Sequence, residues 1–136
     1  MEITVSKEQG RVPVAVLKVS GQLDGQTYQK LIDRARQEYE AGGKSMLLDL
    51  GDLTYISSAG LVSLHSIALL LRGQPLPDQE HGWNRLKTMD NAQDGGMQKN
   101  LKLLNPRPEV SSVLEMVGFS AFFEVFTDRQ KAIDSF

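Results

Sequence analysis

The chain has 136 residues with no cysteine, and 15 Lys and Arg against 17 Asp and Glu leave a formal net charge of −2. That length suits one domain with one core, the charge balance excludes the clustered basic face of a nucleic-acid binder, and the missing cysteines exclude a disulfide framework, a thiolate metal site and a thiol nucleophile. No apolar run reaches a membrane span, and MEITVSKEQG lacks the basic-then-apolar order of a secretory leader, so a cytoplasmic protein without direct membrane insertion is expected.

Residues 2–8 alternate Ile3 and Val5 with polar neighbours, the pattern of a strand with one wet face. Gln9-Gly10-Arg11 reads as a turn, and Val12 to Val19 as a second, more apolar strand that completes an antiparallel hairpin. Pro13, which has no N–H, fits a strand start. Ser20-Gly21-Gln22-Leu23-Asp24 then leads into a helix whose Tyr28, Leu31, Ile32, Ala35 and Tyr39 fall on one face, with Gly42-Gly43 past its end. Asp24 is suited to bonding backbone N–H groups in the turn or at the helix start.

Met46, Leu47, Leu48 and Leu50 form the nearly unbroken apolar run of a central parallel strand covered on both sides. A turn is expected through Gly51, Asp52 and Thr54, and Ser57-Ser58-Ala59-Gly60 precedes an apolar helix starting near Leu61. Serine suits that boundary because its oxygen accepts a bond from an unpaired first-turn N–H, and Ala59 and Gly60 leave the approach to those groups open. At about 100° per residue, Leu61, Leu64, Ala68 and Leu71 share a stripe for the sheet. Val62, Leu69 and Leu70 lie off it, and such a grouped apolar excess implies a cover, a self-association face or a partner site.

Residues 73–99 are rich in Gly, Pro, Asp, Asn and Gln and show no sustained apolar period, an uncommon length for a connection in a small domain. Trp83, Leu86 and Met89 within it are candidates to dock over Val62, Leu69 and Leu70; a second copy of the chain, making a homodimer, is the other candidate cover. Leu101, Leu103 and Leu104 give a fourth strand, ended by Asn105-Pro106-Arg107-Pro108. A helix from Glu109 carries Val110, Val113, Leu114 and Val117 and closes at Gly118. Phe119, Phe122, Phe123, Val125 and Phe126 are expected to supply most of the aromatic core, with Glu124 to Phe126 a last strand. Thr127 with Gln130 reads as a capping box opening a final helix.

Catalysis finds little support. Asp49 and Asp52 lie near the loop, and paired carboxylates can do acid–base work, yet Asp49 is better suited to ending a strand or bonding loop amides. His65 and His81 have no carboxylate at ligand spacing, and no motif offers a general base to a Ser58 nucleophile. The expectation is no enzyme, no metal and no cofactor.

Three stretches, GQLDGQTYQKL, YISSAGL behind an aspartate-bearing strand, and LLNPRPEVSSVLEMVGF, stand in the order of three signatures that they resemble in the STAS domain family of anti-sigma factor antagonists. The resemblance implies an α/β fold: a mixed β-sheet of four to five strands packed with about four α-helices. One STAS domain would span residues 1–136, with an inserted loop at about 73–99 between the second helix and the fourth strand. It also implies that Ser58 is the serine phosphorylated by a partner kinase, with Ser57, where the best-characterised antagonists carry Asp, as second choice. The implied partner surface comprises Asp24, Asp52, Ser57, Ser58, Ala59, Gly60 and Val62. Its partners would be an anti-sigma factor that is a serine kinase of the histidine-kinase-like ATPase type, and a resetting serine phosphatase. The family also connects Asp24 with nucleotide contact, although no phosphate-cradling glycine loop with its lysine is present. The alternative is a STAS accessory or scaffold subunit of a membrane transporter or sensory complex that works without phosphorylation.

Overall fold

In the computed structural model, which describes residues 1–73 and 98–136, an antiparallel hairpin opens a mixed sheet. β1 (Glu2–Gln9) pairs with β2 (Pro13–Leu23), from Glu2 opposite Ser20 to Gln9 opposite Pro13. β3 (Met46–Ile56), β4 (Leu101–Leu104) and β5 (Val125–Phe126) follow, each parallel to its predecessor, in the spatial order β1-β2-β3-β4-β5. Four α-helices are described: α1 (Tyr28–Glu40), α2 (Ser58–Leu71), α3 (Pro108–Met116) and α4 (Arg129–Asp134). Parallel neighbours need crossovers, and crossovers of one hand put their helices on one face. Accordingly Leu31 and Ala35 of α1, Leu61 and Leu64 of α2, and Val110 and Leu114 of α3 share one core cluster with Ala15, Leu17, Met46, Leu48, Leu101 and Leu103 of the sheet.

α1 forms where the apolar spacing predicts it. Leu31, Ile32 and Ala35 are buried, Tyr28 and Tyr39 pack beside them, and Gly42, at φ +102°, takes the left-handed turn that follows the end of the helix. α2 is different in kind: ten of its fourteen residues are buried, including the expected stripe of Leu61, Leu64, Ala68 and Leu71. A helix apolar on most sides is an interior helix. Leu69 is buried as well, and Val62 and Leu70 are half-buried against the main core. Residues 74–97 of the long connection, with Trp83, Leu86 and Met89, lie outside the described residues.

β2 and β3 are both longer than their sequence suggests. Ser20 to Leu23 remain in β2, and the expected turn through Gly51, Asp52 and Thr54 is instead part of β3. The reason lies in two irregularities of the ladder. Lys18 faces Asp49, but Ser20 faces Asp52; Gly21 faces Leu53, but Gln22 faces Tyr55. β3 thus gains one extra residue at each place, which is a β-bulge. Each bulge resets the alternation of side chains, so that Leu50, Leu53 and Ile56, three apart, are all buried. Burying an aliphatic side chain is worth roughly 2 kcal/mol, whereas one missing ladder bond costs about 1 kcal/mol. Keeping Leu53 and Ile56 inward therefore outweighs two broken repeats.

The opposite face is covered at one end by α4, where Val14, Val16, Leu47 and Leu104 meet Ala132 and Ile133. Lys102, between two core leucines on β4, has to point to this side, and it is buried there at 4% exposure. Its ammonium donates to the carbonyl and hydroxyl oxygens of Ser135 at 3.0 and 2.9 Å, lies 3.5 Å from a Glu124 carboxylate oxygen, and stands 4.8 Å from the ring centre of Phe136. Lys102→Ala should lower unfolding stability by about 2 kcal/mol, the scale of hydrogen bonds to a charged group, and strip hydrogen-exchange protection from α4 first. A wild-type melt with full α4 protection would mean that Ala132 and Ile133 hold the helix alone.

Three expectations for the C-terminal part need correction. Val125 is exposed on the edge strand, so the aromatic core is Phe119, Phe122 and Phe123, with Phe126 half-buried beside α4. Phe119 and Phe123 meet edge to face, 5.3 Å between ring centres. The last helix is capped one residue later than expected: Asp128, not Thr127, accepts from the Lys131 N–H at 3.0 Å. A full carboxylate charge at the helix N-terminus suits that role. Gln130 donates instead to Asp134 at 3.0 Å.

Candidate functional site

β4 pairs only with Met46–Asp49 of β3, so β2 and β3 run on beyond it as a two-stranded ribbon. Leu23 stands opposite Ile56 at the ribbon's end, and the Ser57 N–H donates to the Leu23 carbonyl at 2.9 Å. The turn at Asp24 and the start of α2 therefore leave adjacent strands at the same end of the sheet. Asp24 organises its own turn: its carboxylate accepts from the Gln26 N–H at 3.0 Å, its carbonyl from the Tyr28 N–H at 2.9 Å, and its own N–H donates to the Thr27 hydroxyl at 2.9 Å.

The helix begins three residues before Leu61, which gives the two serines different positions. Ser57 is the N-cap, in extended backbone at φ −97° and ψ 178°, and its hydroxyl oxygen accepts from the Gly60 N–H at 3.3 Å. Ser58 is the first helical residue and is exposed. Among the described residues nothing hydrogen-bonds its hydroxyl. Ala59 is half-buried and Gly60 buried. A Cβ on Gly60 would lie 2.7 Å from both the Leu23 carbonyl oxygen and Ile56 Cγ1. Glycine is needed there because the helix start rests on the end of the ribbon.

The other expected surface residues are spread more widely. Val62 lies one turn into α2 and is half-buried. Asp52 is set back along the ribbon, opposite Ser20 and so three partner residues, or about 10 Å at strand rise, before its end where Leu23 faces Ile56, and pairs with Lys18 at 3.1 Å. Asp49 accepts from the Gly51 N–H at 3.0 Å inside the first bulge. Tyr55, although part of the YISSAGL stretch, has no role in the sequence reading; the structure exposes it three residues before Ser58. The available signal was the polar pair Thr54-Tyr55 between Leu53 and Ile56, which a strand can hold outward only through a bulge. Among the described residues, no group of three or more His, Asp or Glu side chains could hold a metal ion, and no helix is long and apolar enough to cross a membrane.

The family model of the STAS domain matches residues 5–74, from the first strand through α2. The chain belongs to the STAS domain family. A relative of this STAS protein in Bordetella bronchiseptica, named "Putative anti-sigma factor antagonist BtrV", is 28% identical over 136 residues, covering 100% of this chain and 95% of the relative. An anti-sigma factor antagonist from Mycobacterium paratuberculosis superposes with a TM-score of 0.63 at 17% identity, over 97% of this chain and 92% of that one. The Bacillus cell fate determinant SpoIIAA in its phosphorylated form gives a TM-score of 0.61 at 15% identity, over 98% and 97% of the two chains. At those identities the two structures support the STAS fold, a five-stranded mixed sheet with its helices.

Proposed function

We propose that this STAS domain is an anti-sigma factor antagonist whose docking to a kinase-type anti-sigma factor is switched off by phosphorylation of Ser58. The observation that carries the reading is the division of labour at the start of α2: Ser57 caps the helix, while Ser58 presents an exposed hydroxyl with no partner among the described residues. The names of the relatives support the same direction. In the transfer, the Ser58 oxygen bonds to the γ-phosphorus of ATP, the bond from that phosphorus to the bridging oxygen breaks, ADP leaves and the serine proton passes to base or solvent.

Phosphate adds about two negative charges. At the N-terminus of the fourteen-residue α2 an anion is tolerated by the free N–H groups and the helix dipole, so the modified domain stays folded. The cost falls on the complex, where a newly buried and unpaired charge is expensive. A phosphatase reverses the change. Nothing in this cycle asks the domain for catalytic groups of its own; it acts by binding.

Incubating the chain with the kinase-type anti-sigma factor of the same genome and ATP should place one phosphate on Ser58, mapped by mass spectrometry, and Ser58→Ala should remain unmodified. Phosphate on Ser57 would move the switch to the cap. An unmodified chain that co-purifies with transporter or sensory subunits would replace the switch by a scaffold role.

A further inference from the structure

Among the described residues, large apolar side chains stand exposed at Val12, Tyr55, Met116 and Val125. Only Tyr55 belongs to the strand that leads into Ser57 and Ser58, and its exposure is 50%. A regular strand would have hidden it. Side chains alternate along a strand, so Leu53 inward would bring Tyr55 inward too. The second bulge prevents this by inserting Thr54, which leaves Thr54 and Tyr55 both outward and returns Ile56 to the core. The bulge is held in place, since the Thr54 hydroxyl donates to the Gly21 carbonyl at 3.0 Å and Gly21 adopts the left-handed φ of +90° that glycine accepts readily. Bulges beside functional sites commonly re-aim a side chain in this way.

We propose that Tyr55 is the aromatic anchor of the surface that Ser58 controls, its ring filling an apolar pocket on the same anti-sigma factor that phosphorylates Ser58. The inference rests on the function proposed above and adds to it the residue that sets affinity. The occupant follows from position: a kinase bringing a γ-phosphate to Ser58 has to cover this end of the β2–β3 ribbon, and Tyr55 is three residues away on it. The surroundings fit a reversible protein partner. Tyr55 is flanked by exposed Gln22 opposite it and by the exposed Lys18–Asp52 pair further back, an aromatic centre with a polar rim. Tyrosine is among the residues over-represented at such energetic centres.

The test is calorimetric titration of the purified chain with the kinase-type anti-sigma factor of the same genome. Tyr55→Ala should weaken binding by about 30-fold or more, as truncation of an anchor does. Tyr55→Thr, which keeps a strand-forming residue, should do the same, and Tyr55→Phe should bind within about threefold of wild type if the ring is what matters. Met116→Ser, an exposed apolar residue outside the ribbon, should leave binding unchanged. Tyr55→Ala and Tyr55→Thr that melt normally and bind like wild type, while Ser58→Asp fails to bind, would remove the anchor and leave the switch standing. Equal loss in Met116→Ser would overturn the anchor by moving the interface to another face. A wild-type chain that binds no such factor overturns both.

Discussion

Gly60→Ala is expected to lower unfolding stability by about 2 kcal/mol, at the upper end of what one added methyl costs in a well-packed place. The added carbon would sit 2.7 Å from the Leu23 carbonyl oxygen, 2.7 Å from Ile56 Cγ1 and 3.0 Å from Leu23 Cγ. A flexible side chain could yield, but the Leu23 carbonyl cannot do so freely because it accepts the Ser57 N–H at 2.9 Å. Relief has to come from lifting the first turn of α2 off the ribbon. Alanine's better helix propensity returns about 1 kcal/mol, which is smaller than the gross clash of about 3 kcal/mol. Urea unfolding of Gly60→Ala should show a lower midpoint with an unchanged slope. The lifted turn also moves Ser57 and Ser58, so partner affinity should fall along with stability. A variant as stable as wild type would show that the helix start is not fixed to the ribbon by this contact.

The same contact marks the limit of what could be read from residues. α1 was legible because its apolar residues recur at helical spacing and its end carries glycine, and β4 because a short leucine run stops at Asn-Pro. β3 was legible only as far as Leu50. Beyond it the inward residues are three apart, a spacing that belongs to neither a regular strand nor a helix, and only the pairing with β2 shows that two bulges produce it. Lys102 is the converse case. A lone lysine between leucines looks like the wet side of an edge strand, but Ser135, just past α4 and far away in sequence, supplies its oxygen partners. The candidate site is marked in the sequence only by its resemblance to a family signature, which singles out both serines. Their separate roles were not legible, because they depend on a helix boundary three residues from where the apolar period begins.

Because those roles are separate, substitutions at Ser57 and Ser58 should part company. Ser57→Ala removes the acceptor for the Gly60 N–H and should cost about 1 kcal/mol of stability, the usual worth of an N-cap. The folded fraction of Ser57→Ala should still bind the anti-sigma factor, since the exposed hydroxyl of Ser58 is untouched. Ser58→Asp should behave in the opposite way. Its side chain is exposed at the first helical position, where a carboxylate favours the helix by roughly 0.3–1 kcal/mol, so the melting temperature should hold or rise slightly. Its affinity should fall by at least about 100-fold, the scale set by leaving a charge unpaired in an interface. The two effects have different physical origins, a lost hydrogen bond within the chain and an added charge between chains, so a paired measurement of melting and calorimetric binding separates them. If Ser58→Asp bound as tightly as wild type, charge at this position would not oppose docking and the switch would fall. If Ser57→Ala lost binding while remaining folded, the cap itself would belong to the interface.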